Sequence, residues 1–139
     1  MPTASDDIAL NKAAIIERCI RRIGEEYAAN PALDSFTHVD AMTLNIERAC
    51  QACIDLAMHL VATRHLGMPQ SSADAFSLLS TAGLISDDLA QTMRAMAGFR
   101  NIAVHQYQKL DLGVLRHIAE HGWRDFVAFA AALGLSVQP

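Results

Sequence analysis

A chain of 139 residues that is 52% apolar and 19% charged is long enough to bury a core and too apolar to stay disordered. Its apolar runs are interrupted every few positions. None reaches the roughly 20 residues needed to span a bilayer, and no charged-then-apolar leader opens the chain, so a cytoplasmic protein with no membrane partner is expected. The net charge of -4 argues against broad, charge-driven binding to nucleic acid, yet it is compatible with a small cleft that takes one defined substrate segment.

The chain reads as helices from end to end. Residues about 6 to 29 place Ile8, Ile15, Cys19, Ile23 and Tyr27 at helical spacing, and Asn30-Pro31 ends that helix because proline disfavours helical backbone in the residue before it. Asp34 or Ser35 can cap a second helix running to about His65. Its apolar stripe is Val39, Met42, Ile46, Ala49, Cys53, Leu56 and Leu60, in steps that alternate three and four, the seam of two long packed helices. Arg48, Asp55 and His59 form a neighbouring polar stripe. Gly67 and Pro69 are expected to stop this helix.

A short helix follows at about 72 to 82, with Phe76 and Leu79 inward and Gly83 at its C-terminus. Ser86 caps the fourth helix, and Asp87 and Asp88 suit the positive end of its dipole. Leu89, Met93, Met96, Arg100 and Val104 share one stripe of it, so an arginine sits in an otherwise apolar seam. Asp111 caps the last helix, whose inner side reads Leu115, Ile118, Phe126, Phe129 and Leu133, closed by Gly134. No period-two pattern survives. The expected fold is all-α: a single domain over 1–139, an up-and-down bundle of four main helices plus one short helix, with frayed ends at about 1–5 and 136–139.

Cysteines and histidines suggest no metal. Cys50 and Cys53 form C-x-x-C, but a zinc site needs about two further soft ligands and Cys19 is the one other cysteine. A redox pair belongs at a strand-to-helix junction, whereas this pair lies inside a helical pattern. All three read as reduced core residues. His117 and His121, four apart, read as a solvated helix face.

The stretch Met96–Lys109, MAGFRNIAVHQYQK, carries the chemistry. Arg100, four residues, His105, one residue and Tyr107 combine a permanent planar cation, a group that titrates near neutrality and a phenol. Such a set suits RNA cleavage without a metal: His105 acts on the ribose 2'-hydroxyl or the leaving oxygen, and Arg100 holds charge developing on the phosphate. The spacing by itself better fits a buried arginine and two satisfied core polar groups, because such short patterns match often. On a regular helix Arg100 and His105 diverge by about 140°. They converge only if the helix ends or bends near His105, or if two chains supply the site. Arg94 and Lys109, with Arg64 expected close in space, are the nearby cations available to a phosphate.

The segment M-A-G-F-R-N-I-A-V-H-Q-Y closely resembles the signature of the HEPN superfamily, in which an arginine followed by a polar residue, here Asn101, precedes a histidine by four to six positions. The His-x-Tyr ending narrows the resemblance to the HepT-like branch, the toxin halves of HEPN/MNT toxin–antitoxin pairs. IERCIRRIGEEYA, LNIERACQACIDLAMHLV and SADAFSLLSTAGLI resemble that branch's first three helices, so the resemblance covers nearly the whole chain. It implies a homodimer whose cleft brings two motifs together. It further implies a ribonuclease acting on transfer or messenger RNA, with Arg100 and His105 catalytic, Asn101 and Tyr107 supporting, and no cofactor. Finally, it implies that a cognate MNT-type nucleotidyltransferase antitoxin transfers AMP from ATP to Tyr107. A non-catalytic binding partner of a nucleotidyltransferase, and a bare helical dimerisation unit, are the alternatives.

Overall fold

A computed structural model describes residues 6–139, Gln108 by its backbone alone; the N-terminal end expected to fray, 1 to 5, lies outside the described residues. The chain is helical, with no strand among the described residues. In order come α1 (Asp7–Ala29), α2 (Phe36–Thr63), the short α3 (Ser72–Thr81) and α4 (Asp87–His105), then a 3-10 turn (Tyr107–Lys109). A last helix starts as α5 (Leu112–His117), widens into a π-helical turn (Ile118–Gly122) and continues as α6 (Trp123–Ala132).

Local chemistry sets most of the boundaries. Asp6 accepts from the amides of Ile8 and Ala9 to start α1, Ser71 accepts from Asp74 to start α3, and Ser86 accepts from Leu89 to start α4. Ser35 occupies the cap of α2, but its side chain caps nothing. Instead the amide of Ser35 donates to Asn30 Oδ1 at 3.0 Å, and the Asn30 side-chain amide donates to Asp34 at 2.7 Å, which knits the α1–α2 turn. At the other end α2 stops before Gly67. His65 takes the left-handed conformation (φ 54°), and the Leu66 amide reaches back to the Val61 carbonyl at 3.0 Å. That is a Schellman closure with histidine where glycine usually sits. Gly83 (φ 80°) closes α3 in the same way, through Leu84 to Leu79.

The seam on α2 is buried as its spacing predicts: Met42, Ile46, Ala49, Cys53, Leu56 and Leu60 are all within the core. It packs mainly on α1, and α3 and α4 cover the other side. Lys12 pairs with Asp55 at 3.3 Å, and His59 with Asp6, so the polar stripe of α2 is tied to α1. Phe76 of α3 meets Phe129 of α6 edge to face, with centroids 5.3 Å apart and planes at 77°, which anchors the last helix to the bundle. Gly122 faces α4, where an added Cβ would meet the Met96 methyl at 3.4 Å, an ordinary van der Waals contact. The π turn was not signalled, because the stripe from Leu115 to Leu133 is compatible with an unbroken α-helix. The C-terminal tail, expected to fray from 136, packs instead. Leu135 and Val137 are buried, and the Gln138 amide donates to Glu17 at 3.2 Å.

Cys19, Cys50 and Cys53 are buried free thiols. Burial pushes Cys53 well up and Cys50 up to about 12, and raises Cys19 more modestly. His117 and His121 are exposed, with ring centroids 5.7 Å apart. Among the described residues no three His, Cys, Asp or Glu side chains cluster as metal ligands, and no helix is long and apolar enough to cross a membrane.

Candidate active site

The motif occupies the last two turns of α4 and the 3-10 turn beyond it. α4 remains helical through His105, and Gln106 (φ -139°, ψ 49°) leaves the helix although its amide still reaches the Ile102 carbonyl at 2.8 Å. No glycine or proline ends the helix here. The chain is redirected by two tertiary anchors: Leu110 packs against the core, and Tyr107 docks on α2.

Arg100 lies half-buried in the seam position the sequence assigns to it. Its Nε is buried and has no hydrogen-bond partner, and one terminal nitrogen contacts Asn101 Oδ1 at 3.5 Å. The guanidinium lies close enough to Cys50 of α2 to oppose part of the upward shift of that thiol, although burial and Glu47 outweigh it. A buried, unanswered N–H on a permanent cation is costly, of the order of 1–3 kcal/mol even for neutral groups, and an anion accepting from it would offset that cost. Asn101 is exposed beside it.

His105 is the last residue of α4 and is exposed, with no hydrogen-bond partner among the described residues. Among the described residues no hydrogen bond turns it toward Arg100. α4 stays helical through His105, so Arg100 and His105 keep the angular separation of a regular helix, and of the two routes to convergence the one through a second chain is left.

Tyr107 is 45% exposed, and its hydroxyl donates to Asp40 of α2, with the Thr43 hydroxyl beside it. Partial burial and the neighbouring carboxylate hold the phenol above its ordinary pKa. Asp40 and Thr43 had drawn no notice in the sequence. They flank the α2 seam at Val39 and Met42, and nothing local links them to a tyrosine 67 residues away.

The other cations separate. Arg94 is turned onto Ser77 of α3. Arg64, expected near the motif, caps the C-terminal end of α2, whereas Tyr107 docks near the N-terminal end. The 24 residues between Asp40 and Arg64 span about 36 Å of helix, so Arg64 does not join the motif. Of the four cations the sequence offered to a phosphate, Arg100 and the exposed Lys109 are the two left at this end of α4. The same end carries a second tyrosine network: Tyr27 donates to Glu120 at 2.7 Å, and Arg116 donates to Tyr27 at 3.1 Å and to the Pro31 carbonyl at 2.8 Å.

Comparison with known proteins converges on one family. Residues 12–133 match the family model described as ribonuclease HepT-like. The chain is 44% identical over 125 residues to the mRNA nuclease HepT of Shewanella oneidensis, covering 89% of this chain and 94% of that protein. Two solved structures superpose with a TM-score of 0.88 at 42% identity, covering 93% of this chain and 98% of theirs. One is a toxin–antitoxin complex with AMP-PNP, and the other is a tri-AMPylated Shewanella oneidensis HEPN toxin in complex with its MNT antitoxin. With the motif intact on a matching all-α bundle, the chain belongs to the HepT-like ribonucleases, the toxin side of HEPN/MNT toxin–antitoxin systems.

Proposed function

We propose that this toxin cleaves RNA without a metal, using Arg100 and His105, and that it does so as a homodimer. His105 takes the proton from a ribose 2'-hydroxyl, the 2'-oxygen attacks the adjacent phosphorus, and the 5'-oxygen leaves. Arg100 stabilises the charge that accumulates on the phosphate oxygens, Asn101 helps orient the guanidinium, and Tyr107 borders the cleft. The products are 2',3'-cyclic phosphate and 5'-hydroxyl ends. The observation that carries this reading is the guanidinium of Arg100, half-buried in an apolar seam with a buried N–H left unanswered. A phosphate oxygen is the acceptor such a group lacks. A second subunit across the α4 face supplies the histidine that one chain holds away from it.

We further propose that the nucleotidyltransferase antitoxin silences the toxin by transferring AMP to Tyr107. The tyrosine lies past the helix end and is exposed enough to be reached by a second enzyme. The phosphodiester brings negative charge to the cleft where RNA phosphate binds, and because it is tethered, RNA does not readily displace it. RNA cleavage by wild type beside His105→Ala tests the first claim: end-group mapping should show cyclic phosphates, and persistent cleavage by the variant would remove His105 from the mechanism. Intact mass after co-expression with the cognate nucleotidyltransferase tests the second: wild type should gain whole AMP units and Tyr107→Phe none.

A further inference from the structure

Tyr107 does not wait in solvent. Its hydroxyl is held against α2, donating to the exposed carboxylate of Asp40 beside the buried Thr43, whose own hydroxyl is fixed to the Val39 carbonyl at 2.7 Å. A phenol that is to attack phosphorus must lose its proton as the bond forms, because the phenolate is far stronger as a nucleophile and is scarce at neutral pH. A carboxylate already accepting that proton is the group suited to take it. Both side chains are open to solvent on one side, so a nucleotide can approach without undoing the contact.

We infer that Asp40 is the proton acceptor and positioning group for modification of this chain's own Tyr107 by a nucleoside triphosphate. The inference rests on Tyr107 being the acceptor, as proposed above. In the step, the Tyr107 oxygen bonds to the α-phosphorus, the bond from that phosphorus to the bridging oxygen breaks, and pyrophosphate leaves. The phenolic proton passes to Asp40. The nucleotidyltransferase supplies the bound triphosphate, and the toxin supplies both the nucleophile and its base.

The local electrostatics fit this division. Partial burial and the Asp40 charge hold the phenol protonated at rest, so its proton leaves during transfer rather than beforehand. Asp40 is the charged group bearing on the phenol and Thr43 the neutral one. His105 and Lys109, its charged or titratable neighbours along the chain, are exposed. His38, two residues before Asp40 on α2, is turned away onto Glu26 of α1.

The test measures the initial rate of the first AMP addition by intact mass, with purified nucleotidyltransferase and ATP, for wild type, Asp40→Asn, Asp40→Glu and Tyr107→Phe. Asparagine keeps an oxygen that can accept from the phenol but cannot take the proton. Asp40→Asn should therefore slow transfer on the order of 100-fold while partner affinity and the thermal midpoint stay near wild type. Its rate should climb with pH between about 7 and 9 as solvent removes the phenolic proton, whereas wild type stays flat there. Asp40→Glu should recover part of the rate. Transfer by Asp40→Asn at the wild-type rate, or a slow rate that tracks lost partner affinity with an unchanged pH profile, overturns the assignment. AMP addition to Tyr107→Phe would instead overturn the acceptor itself, a separate failure.

Discussion

Arg100 and His105 stand five residues apart on one continuous helix, so their side chains leave α4 about 140° from each other. Arg100 runs inward under the seam, and His105 faces solvent. A single chain therefore holds the cation and the base of the proposed reaction on different faces. In the proposed homodimer a two-fold axis brings the face of one copy against the face of the other, so the proposed cleavage depends on quaternary structure.

Complementation measures that condition. Arg100→Ala and His105→Ala, each inactive by itself, should recover activity when refolded together. If each site takes its arginine and histidine from different chains, random pairing yields about a quarter of wild-type activity, because half the dimers are mixed and each mixed dimer has one intact site. No recovery in dimers verified by light scattering would place both residues of a site on the same chain.

Each single variant should lose on the order of 100-fold or more in cleavage, since each removes either proton transfer or charge stabilisation in the transition state. His105→Ala should stay folded, because its ring is exposed and makes no hydrogen bond among the described residues. Chelation with EDTA should leave the wild-type rate unchanged; a loss that magnesium restores would point to a metal the proposed chemistry does not use.

Stability should fall at high pH through the thiols. Burial raises Cys50 from 9.0 to about 12, so the folded chain keeps a proton that the unfolded chain gives up first. The contribution is present in full below pH 9 and is lost as pH rises toward 12. Urea unfolding should show a midpoint that declines across that interval, and Cys50→Ala should flatten the decline while lowering the plateau. Thiol-specific reagents should label Cys50 and Cys53 at native pH on unfolding alone.

His65 offers a stabilising change away from the site. It is exposed and adopts a left-handed conformation that costs a β-carbon residue about 1 kcal/mol or somewhat more relative to glycine. His65→Gly should raise the unfolding free energy by several tenths of a kcal/mol to about 1 kcal/mol, the larger backbone freedom of unfolded glycine offsetting part of the gain. A lowered thermal midpoint would show that His65 contributes a contact beyond its backbone geometry.

The sequence alone determined the helices, the caps at Ser86 and Asp111, the α2 seam, and the alignment of Arg100 with Met93 and Met96, because these follow from periodicity and side-chain hydrogen bonds within a few residues. The motif was legible for the same reason, being contiguous. What only the tertiary structure decided joins distant segments: the docking of Tyr107 on Asp40 and Thr43, the separation of Arg64 and Arg94 from the motif, the packed C-terminal tail, and the π turn over Gly122. Each depends on where one helix lies against another. Local periodicity names the face a residue occupies, but it does not say which side chain of another element meets it there.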